Sequence, residues 1–592
     1  MKRKNTFRSG LFGFILVCCF FWAGCEQKSV KDCTTFEELP DPAPSDPEWA
    51  NVAPGLHVSF GSTDIRYAKS SVPDLTASPA HRITGWKGER VSAQLVLWTS
   101  EEISEVTCEF TVFNSSSATL SADIAQARFV RYVMTDIFEP GCGYRKPEDF
   151  PASLSADMLD NLKCFDIPAA TVRPVWITID IPESATSGIY KSKLTISAQG
   201  KKISEPELEL EVINRILPPA SQWSYHLDLW QHPSAVARIQ DLPLWSDEHF
   251  EAMRPVMKLL ADAGQKVITA TLNKDPWNVQ TFDRYEDMIT WTKNTDESWS
   301  YDYTVFDRWI EFMQEIGINK MINCYSVVPW NNELHYIDIQ TGDTVTVKAD
   351  PGTPIFEEMW TPFLHDFTVH LKEKGWLKIT NIAMDERSPE AMEATLELLA
   401  KAAPELGISL ADNHKSYKKY PFINDMCVGA DAKADSSDIA SRRANGLITT
   451  YYVCCSHPFP NVFTFSDPAE ATYAAWYALA ADYDGFLRWA YNSWVENPLT
   501  DSRFRTWPAG DTYIVYPEAR SSIRFERLRE GIQDVEKIRI LRAELLSQGT
   551  SQALEKLDRL NKEVSTFNTV TPTEPCAQML NRAKKILNEP TE

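Results

Sequence analysis

The chain has 592 residues, which sets an expectation of more than one domain. Its 43% apolar content fits a globular core, and 19 Trp and 20 Tyr supply flat faces suited to core packing or sugar stacking. A formal charge of −23 with no Lys/Arg-rich run argues against a phosphate backbone as partner, so no nucleic acid is expected.

Residues 1–25 read as an export signal: basic "MKRKNTFRSG", apolar "LFGFILVCCFFW", then "AGC". The apolar run is short for a membrane span. Ala23-Gly24-Cys25 resembles a bacterial lipoprotein box, with Cys25 as the lipidated first residue of the mature chain. Trp22 stands where a small or aliphatic residue is usual, which leaves plain secretion as the alternative. The expectation is an exported protein, lipid-anchored at the cell envelope and facing the periplasm or the cell surface.

Residues 26–50 are polar and Pro-rich and read as a tether. The cysteines beyond Cys25 are scattered, with no Cys-x-x-Cys pair. Export permits disulfides, but a chain this long does not need them. The adjacent Cys454 and Cys455 read as small core residues rather than a redox pair.

Residues 51–217 show period-two alternation and β-branched enrichment in "LHVSF", "ERVSAQLVLWTS", "EVTCEFTVFNS", "ARFVRYVMTD", "PVWITIDIP" and "YKSKLTISAQG", the signature of a β-sandwich. "ILPPASQW" (216–223) is a Pro-rich boundary. From 218 to 547 apolar runs alternate with helical patterns. The predicted strands are 223–230, 266–273, 319–328, 377–386, 408–414, 447–455, 485–494 and 512–517. Eight strand–helix units predict a (β/α)8 barrel, an α/β domain behind the all-β one. Residues 548–592 read as helices packed outside it.

The fourth unit carries the main chemical signal. In "KITNIAMDERSPEAMEATLELLA" an apolar strand ends in Asp385 and Glu386 at the C-terminal rim, where such barrels keep their chemistry. The bland alternative is that one of them caps the following helix. A conventional glycosidase sets two carboxyls from different strands ~5–5.5 Å apart for retention or ~6.5–9.5 Å for inversion. An adjacent pair is poor for that arrangement. It suits a 2-acetamido sugar whose own carbonyl oxygen is the nucleophile, with one acid moving the proton and the other holding the amide N–H.

Four stretches, "PVWITIDIPESATSGIYKSKLTIS", "ITNIAMDERSPE", "GFLRWAYNSW" and "GDTYIVYP…SSIRFERLREGIQDVEKIRIL", resemble glycoside hydrolase family 123. With the domain order they cover about residues 50–547. The resemblance implies a retaining exo-β-N-acetylgalactosaminidase with a β-sandwich before a (β/α)8 domain. It implies that Asp385 orients the acetamido group and that Glu386 is the acid/base.

Other strand ends offer binding candidates. In "HLDLWQH", His226, Asp228 and Trp230 share a face and read as ligand contacts or as a satisfied buried pair. Asn323, Tyr325, Trp330 and His335 surround the third strand's end, and Asp412, Asn413 and His414 follow the fifth. Tyr451 and Tyr452 lie on opposite faces, so one points inward, where its hydroxyl would reach the acetamido oxygen. "RWAYNSW" offers Trp489, Tyr491, Asn492 and Trp494, with a Trp as sugar platform or as barrel core. No His-Glu-x-x-His, zinc spacing, calcium loop, G-x-S-x-G elbow or phosphate loop occurs, so no metal or cofactor is expected.

The function expected is removal of terminal β-linked N-acetylgalactosamine from glycans or glycosphingolipids. The alternatives are a β-N-acetylglucosaminidase, an unacetylated galactosidase, or a non-catalytic glycan-binding lipoprotein.

Overall fold

The computed structural model describes residue 33 and residues 36–139, 141–143 and 145–589. The export segment and the lipid attachment expected at Cys25 lie outside the described residues.

The N-terminal domain is built from two sheets. One runs in the order Leu56–Gly61, Arg90–Thr99, Thr171–Asp180, Ala125–Thr135, Ser153–Leu159, with antiparallel pairing throughout. The other runs Ala80–Lys87, Glu207–Ile216, Gly188–Ala198, Ile103–Phe110, Phe165–Ile167. Alternation does the packing: Tyr190, Ser192, Leu194 and Ile196 are buried while Lys191 and Lys193 face out. Their apolar members meet Leu95, Leu97, Val175 and Ile177 of the opposite sheet in one core.

The stretch expected as a tether is fixed on this domain over its described part. Cys33 is disulfide-bonded to Cys164. The buried Glu38 accepts hydrogen bonds from Arg131 and Arg173 and pairs with Lys69. Burial pushes the Glu38 carboxyl up, but the three cations outweigh it and hold the group well below the usual carboxylate range. The sequence reading failed here because a single buried acid and a cysteine bonded 131 residues away leave no local pattern.

The second domain is a barrel of eight parallel strands: β1 His226–Leu229, β2 Val267–Thr271, β3 Met321–Tyr325, β4 Thr380–Met384, β5 Gly407–Asp412, β6 Asp425–Gly429, β7 Ile448–Tyr452 and β8 Gly485–Arg488. Their order is β1-β8-β7-β6-β5-β4-β3-β2, and a bridge from Leu227 to Gln265 brings β1 back beside β2. One expected strand is lost and one that was not expected takes its place. "DMCVG" is β6, hidden in a polar stretch because its inward Asp425 is bonded to Asn323 and Ser409 inside the barrel. "TYIVYP" is not a barrel strand. It carries only isolated bridges, from Tyr513 to Asn492 and from Tyr516 to Arg520, and the Val515 carbonyl accepts from the Trp494 indole. Segment 485–494 is therefore the eighth strand and the turn after it.

The helix Ile523–Gln548 joins the domains. Its buried charges are paired, as buried charges must be. Arg128 donates to Glu526, Lys537 bonds Glu89, and Arg524 bonds Asp157. Helices Ser551–Ser565 and Cys576–Leu587 pack outside the barrel.

Candidate active site

The rim of the barrel holds an open cavity of about 180 Å³. Asp385 and Glu386 both line it, although they are chain neighbours. Strand geometry alone would send them to opposite faces. Here β4 ends at Met384, so the two acids sit in the turn before the next helix, where alternation no longer applies.

That helix, Pro389–Ala402, is capped by Ser388, whose Oγ accepts from Ala391 N at 3.3 Å, with Pro389 in its first turn. Neither acid is used as the cap.

Each acid is held separately. Trp330 Nε1 donates to Asp385 Oδ2 at 3.1 Å, and Glu386 N donates to Asp385 Oδ1 at 2.9 Å. The Tyr452 hydroxyl, from the end of β7, donates to Glu386 Oε1. Burial raises the Asp385 pKa to about 6, with the Trp330 hydrogen bond pulling against it and the Glu386 charge adding to it. At neutral pH Asp385 is mostly ionised and can accept an N–H. Burial, then the Glu386 charge, pushes the Tyr452 phenol far up, so it stays a donor.

An aromatic cluster stands against the acids. Trp230, Trp277, Tyr285 and Tyr325 nest with ring centroids 4.4 to 4.9 Å apart. With Ala383, Ala411, Cys427, Tyr452 and Leu487 they form an apolar cluster distinct from the outer helix–strand core. Trp489 packs edge-on against Trp507 on the β8 side.

Of the expected binding residues, Trp230, Trp330, Tyr452 and Trp489 line the cavity. Tyr325 is buried in the aromatic nest. Four are directed away from it, which corrects the sequence reading. Tyr451 points outward and donates to Ala474 O, and Tyr491 donates to Val256 O. Asn492 clamps the His232 backbone through both ends of its amide. Trp494 is 1% exposed and donates to Val515 O. Beyond Arg488 the chain leaves β8, so Tyr491, Asn492 and Trp494 lie in the turn after the strand rather than on it.

His226, Asp228 and Asn323 are buried and do not line the cavity. Asn323 belongs to an interior network with Asn381, Ser409 and Asp425. Burial raises the Asp228 pKa well above the usual value and lowers that of His226, so both favour their neutral forms. His335 bonds Asp287. His414 is exposed, and its N–H donates to the buried Asp412.

Sequence reasoning missed Gln280, Trp507 and Asp511, which come from loops after β2 and β8, and the cysteines Cys142, Cys454 and Cys455. Cys142 and Cys455 form a disulfide across 313 residues, so Cys455 is not a simple core residue. Cys454 is free, and burial pushes its thiol up to about 11. The one available signal was the Gly-Asp step of "GDTYIVYP", an acid placed before an apolar run.

The family description "Glycoside hydrolase 123, catalytic domain" matches residues 230–541, and "Glycoside hydrolase 123 N-terminal domain" matches residues 60–198. The chain belongs to glycoside hydrolase family 123. It is similar to a family 123 glycoside hydrolase from Clostridium perfringens, whose structure is described for glycolipid glycan hydrolysis. The identity is 28% and the TM-score 0.81, over 90% of this chain and 97% of that one. A Bacteroides cellulosilyticus family 39 glycoside hydrolase matches at 9% identity and TM-score 0.33, covering 77% of this chain and 82% of that one. That likeness is too distant to argue from. No curated protein matches the chain. The family 123 glycoside hydrolase thus carries its two rim acids in a pocket walled by aromatic rings.

Proposed function

We propose that the protein is a retaining exo-β-N-acetylgalactosaminidase acting on the termini of glycans or glycolipids by substrate-assisted catalysis. The observation that carries this reading is that Asp385 and Glu386, consecutive in the chain, face one pocket and are each held by an aromatic donor. The similar Clostridium perfringens structure, described for glycolipid glycan hydrolysis, supports the substrate class.

In this mechanism Glu386 gives its proton to the glycosidic oxygen while the acetamido carbonyl oxygen of the sugar closes on the anomeric carbon. The aglycone leaves as its alcohol. Asp385, ionised, accepts the acetamido N–H and offsets the positive charge of the oxazolinium ring. Glu386 then takes a proton from water, which opens that ring at the anomeric carbon. Two inversions give net retention. Tyr452 keeps the Glu386 carboxyl aimed, and Trp230, backed by Trp277 and Tyr325, offers an apolar face to the cavity.

The same proposal places the protein in the cell envelope, exported through residues 1–25 and anchored through Cys25. The order of basic, apolar and Cys-terminated segments supports it, and the disulfides Cys33–Cys164 and Cys142–Cys455 suit an oxidising compartment. Among the described residues no helix is long and apolar enough to cross a membrane.

The test is a panel of 4-nitrophenyl β-glycosides. Turnover of the N-acetylgalactosaminide above the N-acetylglucosaminide, with no turnover of the galactoside, supports the reading. Preference for the galactoside overturns it. A change of Cys25 to Ser should release the protein from the membrane fraction, and retention there would rule out the anchor.

A further inference from the structure

The mechanism uses two of the three carboxylates that line the cavity. The third, Asp511, follows β8. In the closed strand order β8 is four strands from β4 in either direction, and Arg488 at the end of β8 bonds Asp511, which puts this loop acid on the side opposite the catalytic pair. Its residue is 0% exposed. Arg488 Nη2 donates to Asp511 Oδ1 at 2.8 Å, and Oδ2 has no hydrogen bond of good geometry, although the Trp489 indole lies beside the carboxylate. Arg488 is itself fully buried and fixed from behind by Asn461 Oδ1 at 3.1 Å. The backbone turn into Asp511 is equally fixed. Gly510 has φ +78°, and a Cβ there would lie 2.2 Å from Thr464 Oγ1. Burial raises the Asp511 pKa, while the Arg488 charge and the neighbouring Trp489 indole draw it back.

A buried carboxylate oxygen without a donor is costly and calls for an explanation, a ligand that completes the bonding being one. This one lines the cavity that holds the reacting acids. In a pyranose, C1 and C2 lie on one edge and C4 to C6 on the opposite edge. When the catalytic pair on β4 holds C1 and the C2 substituent, the far edge turns toward β8. We propose that Asp511 is the specificity-determining carboxylate of this pocket, accepting a hydroxyl from the ring edge that carries O4 and O6. The inference rests on the N-acetylhexosaminidase reading and extends it. Asp385 and Glu386 select the acetamido group and the bond, and Asp511 reads the far edge, where galacto and gluco sugars differ. Arg488 is the positioning residue that holds its carboxylate in the wall.

The experiment measures kcat/KM for the wild type and Asp511→Asn on the 4-nitrophenyl β-N-acetylgalactosaminide and on its 4-deoxy and 6-deoxy analogues. For the wild type, one deoxy analogue should lose about 10²-fold or more, because the buried acceptor is then left unpaired. Asp511→Asn should lose a similar factor on the parent sugar and little further on that analogue. Equal losses by the variant on parent and both analogues overturn the proposal and leave the glycosidase reading intact. Should Asp511→Asn fold poorly, the wild-type arm decides: full activity on both deoxy sugars overturns the assignment. A wild type inactive on every N-acetylhexosaminide removes the parent reading and this one together.

Discussion

The Tyr452 hydroxyl at the end of β7 donates to Glu386 Oε1 beyond the end of β4, so the proton-moving acid is held from across the pocket. Tyr452→Phe keeps the ring in the apolar cluster and removes only the donor. It should lower kcat by about 10- to 100-fold with little change in KM, since orientation of an acid acts on the chemical step. A rise in KM with kcat unchanged would show that Tyr452 holds the sugar instead.

Glu386→Gln should cost about 10²- to 10⁴-fold in kcat/KM on natural glycans, the usual worth of a general acid. The loss should be much smaller in the cyclisation step for a nitrophenyl aglycone, which departs with little protonation. Parallel assays on both substrates check this. Equal losses would assign Glu386 another role.

Asp385 must be ionised to accept the acetamido N–H. Because burial raises its pKa to about 6, kcat/KM should fall as pH drops through about 6. The linkage to stability has the opposite sense. A carboxyl whose folded pKa lies above its unfolded value favours folding below about 3.8, and that contribution is lost as pH rises through about 6. Asp385→Asn, uncharged at all pH, should therefore be nearly inactive, yet melt higher than wild type at pH 8 and lose that advantage near pH 4. Thermal melts at the two pH values check the sign. A variant less stable at pH 8 would contradict it.

The disulfide Cys33–Cys164 and the buried Glu38 cluster fasten residue 33 and residues 36–50 to the sandwich, and none of these lines the cavity. The pair of changes Cys33→Ser and Cys164→Ser should cost about 2–4 kcal/mol of stability and leave kcat near wild type. The pair Cys142→Ser and Cys455→Ser removes a bond in the pocket wall and should raise KM as well. Melting and kinetics of the two double variants separate these effects.

The legible parts were those with a local period. Six sandwich strands announced themselves by alternation, and β4 by an apolar run ending in two acids, whereas Ala80–Lys87, Ser153–Leu159, Phe165–Ile167 and Glu207–Ile216 were not picked out. Strand β6 did not, because its inward face carries Asp425, bonded to Asn323 and Ser409 from distant strands. Tyr451 and Tyr452 could be placed on opposite faces from sequence, but which faced in waited on the register of β7 against β6 and β8. Asp511, Gln280 and Trp507 reach the pocket through irregular loops, and both disulfides join residues more than a hundred positions apart. Nothing with a short period encodes such contacts.

The central claim is that the nucleophile belongs to the substrate, so neither Asp385 nor Glu386 attacks the sugar. The most direct measurement is intact and peptide mass spectrometry of the enzyme incubated with an activated 2-deoxy-2-fluoro-β-galactoside, which carries no acetamido group. The account predicts an unmodified protein, alongside tight binding of the thiazoline mimic of the cyclised intermediate. A covalent glycosyl adduct on Asp385, Glu386 or Asp511 would identify a protein nucleophile and contradict it.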